Sequence, residues 1–533
     1  MGHRQKNLKE TWVLFLILLV GLGFRLSYLA HLLPVCRADE AVFGLMTKHL
    51  LEGKSLPIYL YEAHYAGALI CYLAAVPFLL FGSSIIALKL TTYLFSLATI
   101  LLVYFLARSL WDRKVAFLSA LFLALPPFLI TWTGQYAGGG YPETLFFGSA
   151  SLFFTHRFLS RDKTPAQEIR TMALLGFLNG LGTWILFSMI PYTLTVWTLA
   201  LFKKERHSLG KLFVAFFLFY AVGVSPIVIY NCQNSFATFT RLGANVMEIE
   251  RADLSGKGAG GIAGLGVSKM AAKMFHLPEA VFQVILNIWR MARIEGASGG
   301  WVKGLNLFLA GMFCFQMITL FRPGRDPSTQ KAKRLFSVLI FWMVLFLAMT
   351  NLTKARYVSF MYPAISISLA WALSRGPCRP AALKIFFIIL FLFANLVNYV
   401  IAMRTPEAED QFGNLVGFIE SKGLRYGYSD YATAYPIAFL TREKVIVSPM
   451  AGPLNVERIP SYTERVNREK EVFFVFLKET EASKRFESSL KERGVFFQRR
   501  DISESGTLSH SVYYGFSRRV TPQELPLIRL LPN

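Results

Sequence analysis

Long apolar runs alternate with short polar connections from Thr11 to Met403. Many of these runs approach the ~20 residues that a helix needs to cross the hydrocarbon layer of a membrane. The pattern therefore predicts a mainly α fold, a polytopic bundle of about eleven transmembrane helices. The predicted spans are 11–33, 85–107, 115–133, 142–159, 170–185, 186–202, 211–231, 302–321, 335–351, 357–374 and 381–401.

Two apolar stretches depart from this simple pattern. Residues 170–202 are one continuous stretch, which we divide into a tight hairpin between residues 185 and 186, because the basic residues on its two sides then share one membrane face. Residues 67–81 are apolar but follow a polar stretch. We expect this segment to lie along the membrane surface or dip into it before the second crossing.

The sequence changes character from about Pro406. Short segments with the pattern of strands alternate there with helical patterns, which predicts a small α/β domain. The predicted strands are 424–429, 444–448, 472–477 and 495–498, and the predicted helices include 410–421 and 479–493. We therefore divide the chain into a transmembrane domain at 1–403 and a soluble domain at 404–533.

The composition excludes a soluble protein. Of the 533 residues, 54% are hydrophobic and only 17% are charged, whereas about 25% of the residues in soluble domains are charged. The first apolar run is long and lacks the small-residue cleavage site of a secretory signal peptide, so we expect it to be retained as the first helix. The chain is predicted to be a multi-pass protein of the cell membrane, the inner membrane of a prokaryote.

The net charge of +23 fits membrane topology better than nucleic-acid binding. The basic residues form no single stripe and lie in short connections, where the positive-inside rule places them on the cytoplasmic side. The N-terminus is therefore predicted to be cytoplasmic and the C-terminal domain extracytoplasmic. The basic connections are the N-terminal segment and residues 108–114, 156–170, 203–211, 322–334 and 375–379.

Acidic side chains near the predicted outer surface are the first candidates for chemistry. Asp39 and Glu40 begin the first predicted outer loop, residues 34–84, and a carboxylate near bilayer depth costs ~2.5–3.5 kcal/mol, so it is usually paired or functional. Glu143 lies in the first turn of a predicted helix, after Pro142 and three glycines. The structural alternatives are a solvated carboxylate pair at the level of the lipid headgroups and a helix-capping role for Glu143.

Cations and further polar residues on the same side are candidates for binding. Lys354 and Arg356, with Tyr357, stand at the outer end of a predicted helix, where they bind a phosphate group or simply reach lipid headgroups. The five cysteines have no metal-binding spacing. The sequence leaves open whether the protein binds a divalent cation, for which Asp39 and His64 are candidate ligands. Further candidate substrate-binding residues are Glu62, His64, Tyr65 and Tyr141.

Several short segments resemble, in their order along the chain, the GT-C superfamily of membrane glycosyltransferases. The resemblance is to glycosyltransferase family 39, the branch with protein O-mannosyltransferases and aminoarabinose transferases, and it covers roughly residues 1–400. The segments are RADEA at 37–41, HLLEG at 49–53, YEAHYAG at 61–67, FG at 81–82, GGYPETL at 139–145, RY at 356–357 and MYP at 361–363.

The resemblance implies a polyprenyl-phosphate sugar donor, whose lipid stays in the bilayer, and a glycan, lipid or protein acceptor on the outer side. Asp39 matches the acidic residue of the family's first outer loop, which acts as a general base toward the acceptor hydroxyl or helps to hold a divalent ion. Glu143 would be the assisting acid, with Glu40 as a further candidate, and Arg356 would bind the donor phosphate. The family also implies inversion at the anomeric carbon by a single displacement.

Three other functions stay open from the residues alone. A transporter or flippase of lipid-linked sugars would share the helices and the interfacial cations, but it would more naturally show two similar halves or broken helices at the membrane midplane. An O-antigen ligase or polymerase would use basic residues in a large late loop, here Arg290, Arg293 and His276. The third alternative is a non-catalytic assembly protein whose outer domain binds a partner.

Overall fold

The computed structural model describes residues 2–32, 36–159, 164–203, 209–240, 327–349, 355–375, 380–403, 412–450, 457–504 and 509–522. The chain divides into two compact units. The first comprises Met1–Leu26, Thr92–Tyr136 and Gly140–Ala402, and the second comprises Ser27–Thr91, Ala137–Gly139 and Met403–Asn533. The domain boundary at residue 403 stays a prediction, and the second unit joins parts of the first predicted outer loop to the C-terminal segment.

Helices dominate the described residues. Up to residue 240 they are α1 (Gly2–Leu32), α2 (Ala38–Leu51), α3 (Leu69–Phe81), α4 (Ile85–Leu110), α5 (Arg113–Ala124), α6 (Phe128–Thr133), α7 (Tyr141–Phe158), α8 (Pro165–Ile185), α9 (Ile190–Leu201) and α10 (Leu209–Gln233). Further along the chain they are α11 (Pro327–Met349), α12 (Ala355–Val358), α13 (Tyr362–Arg375), α14 (Ala381–Met403), α15 (Gly413–Ser421), α16 (Tyr431–Leu440), α17 (Pro460–Arg468) and α18 (Glu481–Glu492).

Five helical segments in this part of the chain are long and apolar enough to cross a membrane, by length and composition. The prediction of a mainly α bundle with membrane helices is confirmed, whereas the number of about eleven crossings stays a prediction. The predicted helix at 302–321 lies outside the described residues. The five segments are Leu8–Ser27, Ile85–Leu110, Leu209–Gln233, Arg356–Arg375 and Ala381–Val400.

The predicted hairpin within residues 170–202 is confirmed. Helix α8 ends at Ile185, and Leu186 is extended, with φ −157° and ψ 132°. A short 3-10 turn, Phe187–Met189, then leads into α9. The continuous apolar stretch therefore forms two helices that meet at the predicted position.

The continuous helix predicted at 115–133 is wrong. Helix α5 ends at Ala124 and α6 begins at Phe128. Pro126 and Pro127 lie between them. A proline has no backbone N–H and disfavours helical geometry in the preceding residue, so the pair interrupts the helix although the side chains around it are apolar.

Helices α8 and α10 pack with their backbones in close contact. A Cβ atom added to Gly176 would lie 2.1 Å from the carbonyl oxygen of Phe216, and one added to Gly180 would lie 2.4 Å from the carbonyl oxygen of Tyr220. Gly223 faces the same contact from α10, where an added Cβ would come within 2.6 Å of the α8 backbone. Small residues let membrane helices approach closely, so this contact depends on all three glycines.

A buried arginine joins α1, α4 and α5. Arg25 is only 4% exposed, and its Nε donates to Ser96 Oγ at 2.9 Å. Its Nη2 donates to the carbonyl oxygen of Leu123 at 3.0 Å, and its Nη1 to that of Ala124 at 3.3 Å. The C-terminal end of a helix carries partial negative charge, so the carbonyl oxygens at the end of α5 stabilise this cation.

Charged ends of several helices meet at one end of the first unit. Glu10 of α1 pairs with Arg108 of α4 and Arg113 of α5, at N–O distances of 2.9 and 2.7 Å. Asp112 pairs with Arg375 at the end of α13, at 2.6 Å. These arginines belong to the basic connections that the sequence predicts to be cytoplasmic, and the structure groups them at the same end of the helices.

The second unit contains a five-stranded sheet in the order β2-β1-β3-β5-β4. Strand β1 is parallel to β2 and β3, and β5 is antiparallel to β3 and β4. The predicted α/β character of the C-terminal segment is confirmed, although β5 was not predicted. The strands are β1 (Tyr426–Ser429), β2 (Ile446–Pro449), β3 (Phe473–Leu477), β4 (Gln498–Ser503) and β5 (Ser509–Tyr514).

Residues of the first predicted outer loop complete the core of the second unit. Phe43 of α2 and Phe78 of α3 belong to the same buried cluster as Phe439 of α16 and Phe474 of β3. Gly44 makes room for this contact, because a Cβ atom added there would lie 2.4 Å from the Phe439 ring. Helices α2 and α3 therefore share one core with the C-terminal sheet.

Candidate active site

Asp39 and Glu40 lie in the first turn of α2. The N-terminal end of a helix carries partial positive charge and stabilises carboxylates. The Asp39 side chain is half-buried, whereas Glu40 is only 1% exposed. The two adjacent carboxylates therefore have different surroundings.

Glu40 is fixed by three groups within the second unit. Its Oε1 accepts hydrogen bonds from Lys89 Nζ at 2.7 Å and from the backbone N–H of Ala137 at 3.0 Å. Its Oε2 accepts a hydrogen bond from the backbone N–H of Arg37 at 3.4 Å. A buried carboxylate with a paired charge and matched hydrogen bonds suits a structural role, since it joins the start of α2 to α4 and to the 137–139 segment.

Asp39 is contacted by residues from the C-terminal part of the chain. The hydroxyl of Tyr431, the first residue of α16, donates to Asp39 Oδ1 at 2.6 Å. Arg458 Nε donates to the same hydroxyl at 3.2 Å, and Arg458 Nη1 donates to the carbonyl oxygen of Tyr61 at 3.1 Å. A hydrogen-bonded chain therefore runs from the guanidinium through the phenol to the Asp39 carboxylate.

The Tyr431 hydroxyl stays protonated in this chain. Burial raises its pKa above the usual range, and the adjacent Asp39 carboxylate raises that pKa further, while Arg458 opposes the increase. A protonated phenol has one hydrogen to donate and oxygen lone pairs to accept. Because Arg458 Nε can only donate, the Tyr431 hydrogen is directed to Asp39.

The loop at 59–67 holds three predicted substrate-binding residues in a strained backbone. Glu62, His64 and Ala66 have φ angles of 54°, 59° and 63°, a left-handed conformation that costs a non-glycine residue ~1–3 kcal/mol. Glu62 and Tyr65 are exposed, and His64 is half-buried. Backbone strain of this kind is concentrated at functional sites, so this loop stays a candidate for substrate binding.

A second charged cluster fixes α2 against the C-terminal part of the same unit. Lys48 and His49 both pair with Glu443, with His49 Nε2 at 3.1 Å from Glu443 Oε1. The Tyr462 hydroxyl donates to the same oxygen at 2.8 Å. Burial opposes the Glu443 charge, but the bonds from His49, Lys48 and Tyr462 hold the pKa of Glu443 well below its usual range. The ionised Glu443 therefore anchors the helix that carries Asp39.

The first unit contains the other predicted carboxylate. Gly140 precedes α7 in a left-handed conformation, with φ 72°, and a Cβ atom added there would lie 2.6 Å from the Ile185 side chain. Glu143, in the first turn of α7, is 1% exposed. Its Oε2 has no hydrogen-bond partner among the residues that the structure describes. A buried polar atom without a partner is costly, so Glu143 stays a candidate site residue.

Arg356 and Tyr357 lie beside Tyr141 in the first unit. The Arg356 guanidinium carbon is 5.1 Å from the ring centre of Tyr357, and the rings of Tyr357 and Tyr141 are 6.3 Å apart. Phe360 stacks on Tyr141 at 5.8 Å, with 15° between the ring planes. Within the described part of the chain, the buried Arg356 Nε has no hydrogen-bond partner. The guanidinium can therefore donate to an anionic group.

The aromatic rings continue beyond Tyr141. Tyr136 lies 6.0 Å from Tyr141 and stacks on Trp132 at 5.4 Å, with 7° between the ring planes. We call Trp132, Tyr136, Tyr141, Tyr357 and Phe360 the aromatic wall. Aromatic surface next to a cation suits a ligand with an apolar or sugar part and an anionic group.

The structure thus places the predicted residues in two sets, one in each unit. Lys354 lies outside the described residues, as do Arg290, Arg293 and His276. For the divalent cation, the described residues contain no group of three or more His, Cys, Asp and Glu side chains that could hold a metal ion. The second unit holds Asp39, Glu40, Glu62, His64 and Tyr65, and the first unit holds Tyr141, Glu143, Arg356 and Tyr357.

Several residues of these sites were not found from the sequence. Lys89 could have been found, since a cation inside the apolar run at 85–107 requires a partner. Tyr431 had a weaker signal: Asp430, a helix-capping residue type, follows the predicted strand at 424–429. No local sequence pattern indicates Arg458, because its contacts with Tyr431 and Tyr61 join distant parts of the chain.

A known family model matches part of the chain. Residues 67–230 match a family model described as dolichyl-phosphate-mannose-protein mannosyltransferase. No curated protein has significant sequence similarity to the chain.

Two solved structures are similar in fold over most of the chain. The crystal structure of ArnT from Cupriavidus metallidurans bound to undecaprenyl phosphate matches with a TM-score of 0.62 and 12% identity, over 94% of this chain and 98% of that one. The archaeal oligosaccharyltransferase AglB from Archaeoglobus fulgidus, in complex with an inhibitory peptide and a dolichol-phosphate, matches with a TM-score of 0.52 and 13% identity, over 98% of this chain and 75% of that one. The chain therefore has the GT-C fold, and its resemblance to the GT-C glycosyltransferases is confirmed.

Proposed function

We propose that the protein transfers a sugar from a polyprenyl-phosphate donor to an acceptor hydroxyl on the outer side of the membrane. Asp39 is the general base, Arg356 binds the donor phosphate, and Glu143 is the assisting acid. The acceptor is a glycan, a lipid or a protein. The transfer proceeds as a single displacement with inversion at the anomeric carbon.

The main support for this proposal is the environment of the Arg356 guanidinium. Its buried Nε lacks a partner among the described residues, and its guanidinium lies against the aromatic wall. Arg356 begins a helical segment that is apolar enough to cross a membrane, Arg356–Arg375. A lipid phosphate lies at that level of a bilayer, and a guanidinium binds phosphate through two parallel N–H bonds.

The known relatives in fold support the choice of donor. The C. metallidurans ArnT structure holds undecaprenyl phosphate, and the A. fulgidus AglB structure holds a dolichol-phosphate. Both ligands are polyprenyl phosphates, which are the leaving group of the proposed reaction. A lipid-linked donor also suits an outward-facing site, where sugar nucleotides are absent.

The proposed residues divide the chemistry between them. The acceptor oxygen attacks the anomeric carbon while the bond from that carbon to the phosphate oxygen breaks, and polyprenyl phosphate leaves. Asp39 takes the acceptor's proton as the new bond forms, which requires a carboxylate within hydrogen-bond reach of the hydroxyl. Arg356 stabilises the negative charge that develops on the departing phosphate.

Purified protein in lipid nanodiscs, supplied with a panel of radiolabelled polyprenyl-phosphate sugars and with a cell-envelope extract as the source of the acceptor, tests the proposal. We expect release of free polyprenyl phosphate with one of the donors. Asp39→Asn removes the base and should abolish the release, and Glu143→Gln should reduce it at least about 100-fold, the usual contribution of a positioned acid or base. Both variants keep the side-chain volume, so thermal unfolding should show folded protein.

A matched control uses the opposite end of the Arg356 helix. Arg375→Gln removes a cation that pairs with Asp112 at the charged end of the bundle, and it should leave the release unchanged. Arg356→Gln should strongly reduce it. Folded protein that releases polyprenyl phosphate from no donor would overturn the proposal and favour a transporter or an assembly protein, and a fully active Asp39→Asn variant would overturn the role of Asp39.

A further inference from the structure

We infer that the C-terminal α/β segment is part of the catalytic machinery, because Tyr431, held by Arg458, positions the carboxylate of Asp39. The inference rests on the proposed function, in which Asp39 is the general base. Tyr431 and Arg458 act through Asp39 and are therefore positioning residues. Asp39, Tyr431 and Arg458 all belong to the second unit.

The sheet topology explains why Tyr431 stands where it does. Strand β1 lies between β2 and β3 and is parallel to both. The connection that follows β1 runs through α16 to β2 on one side, whereas the connection that follows β3 runs through α18 to β4 on the other side, so the chain turns in opposite directions at the carboxyl ends of β1 and β3. In open parallel sheets that point is where functional groups gather. Tyr431 comes two residues after Ser429, the last residue of β1.

The start of α16 is well defined. Asp430 caps the helix, since its Oδ1 accepts a hydrogen bond from the backbone N–H of Thr433 at 2.8 Å. An N-cap of this kind fixes the direction in which the first helical residue leaves the backbone. Tyr431 is that first residue, and its ring packs edge-on against Tyr435 with the ring centres 5.3 Å apart. The phenol is thus held from both its backbone and its ring.

Arg458 fixes the other end of the contact. Its backbone N–H donates to the Tyr435 hydroxyl at 2.6 Å. Its side chain binds the Tyr431 hydroxyl and the carbonyl oxygen of Tyr61, as described above. The Tyr61 carbonyl belongs to the strained 59–67 loop, so one arginine ties this loop to the phenol that contacts Asp39.

The contact with Tyr431 has a consequence for the base. A hydrogen bond of 2.6 Å to Oδ1 restricts rotation of the carboxylate, which keeps the Asp39 oxygens in one orientation toward the acceptor. Loss of the phenol hydroxyl should therefore slow the chemical step while the contacts to the donor phosphate stay in place.

Tyr431→Phe in the nanodisc transfer assay tests the inference. We expect kcat to fall by about 10- to 100-fold, in the range for a displaced catalytic group. The KM for the lipid donor should stay unchanged, because Tyr431 does not bind the donor phosphate. Arg458→Lys, which keeps the positive charge but loses the Nε donor, should lower kcat less than Tyr431→Phe does.

Tyr428→Phe is the matched control. Tyr428 lies in β1 of the same sheet, and its hydroxyl donates to Asn467 Oδ1 at 2.6 Å. The substitution thus removes a hydrogen bond of the same length from the same unit without touching Asp39. It should lower thermal stability about as much as Tyr431→Phe and leave kcat unchanged.

The outcomes separate the inference from the proposed function. Loss of transfer in Asp39→Asn, together with a wild-type kcat in both Tyr431→Phe and Arg458→Lys, would overturn the inference alone. An equal fall in kcat for Tyr431→Phe and Tyr428→Phe would also overturn it, because a general loss of stability would then explain both. No transfer by the wild-type protein, or full activity of Asp39→Asn, would overturn the proposed function and the inference with it.

Discussion

Asp39 and Glu40 are neighbours in the chain, but their contacts differ, and under the proposed function so do their roles. Glu40 is buried, with Lys89 as its ion-pair partner and two backbone N–H groups as donors. Asp39 is half-buried and bonded to a phenol that comes from the C-terminal segment. At the scale of single residues, a paired and fully buried carboxylate supports the fold, whereas a carboxylate that stays partly open can react.

Glu40→Gln should destabilise the protein much more than it alters transfer by the molecules that remain folded. Removing one partner of a buried ion pair costs about 3–5 kcal/mol, because the Lys89 charge then loses the carboxylate that stabilises it. Thermal unfolding in nanodiscs measures the loss. Glu52→Gln is the control, because the pairs of Glu52 with Lys48 and Lys54 are partly exposed and contribute at most about 1 kcal/mol. Equal melting temperatures for the two variants would contradict the structural role of Glu40.

At the scale of elements, close helix contacts depend on glycine, which has no Cβ atom. Helices α8 and α10 approach until the Gly176 and Gly180 positions have no space for a methyl group. Hydrophobic attraction does not distinguish one helix neighbour from another in lipid, so backbone proximity and packing decide which helices pair. The α8–α10 contact is therefore specified by glycine rather than by large apolar residues.

Gly180→Ala should separate α8 from α10 and lower the melting temperature. The added Cβ would lie 2.4 Å from the Tyr220 carbonyl oxygen, and a backbone atom cannot move aside as a flexible side chain can. Forced overpacking of this kind costs about 1–3 kcal/mol. Gly23→Ala is the control, since no atom lies within 4 Å of an added Cβ there, and alanine is the better helix former by about 1 kcal/mol. A Gly180→Ala protein as stable as Gly23→Ala would contradict the packing.

Elements with a strong local signal could be predicted from the sequence, and those that depend on partners could not. The basic residues that flank 170–202 placed the α8–α9 hairpin correctly. Strand β5 was missed because Ser509, His510 and Ser511 lack the apolar alternation of a strand, and only pairing with β3 and β4 makes them one.

The candidate site likewise contains residues that the sequence predicts and residues that it does not. Asp39 and Glu143 were predicted from the sequence because a carboxylate at a membrane surface is costly unless it is paired or functional. The contact of Asp39 with Tyr431 spans 392 positions of the chain. No local sequence pattern predicts such a contact, so Tyr431 and Arg458 were found only from the fold.

At the scale of the whole molecule, charge determines how the helices insert. The pairs of Glu10 with Arg108 and of Asp112 with Arg375 bring basic connections to one end of the first unit. Positive charges near helix ends stay on the cytoplasmic side during insertion. The orientation with this end on the cytoplasmic side stays a prediction.

Single introduced cysteines test that orientation. Lys114 and Ser421 are both exposed, and each can be replaced by cysteine in a variant whose five native cysteines are changed to serine. A membrane-impermeant maleimide should label Ser421→Cys in intact cells, and it should label Lys114→Cys only after the membrane is permeabilised. The reverse pattern would show that the protein is inserted the other way round.

The shared core of the second unit also determines when the protein can finish folding. Phe43 and Phe78 pack in one buried cluster with Phe439 and Phe474, so a ribosome must add roughly 400 further residues before this cluster can close. At ~5–20 residues per second, the wait is roughly 20–80 seconds. During that time the apolar faces of α2 and α3 have no final partner and are open to chaperones and proteases. In a chain that ends before Phe439, the apolar faces of α2 and α3 stay exposed. Cellular quality control can then recognise the incomplete protein by these N-terminal helices.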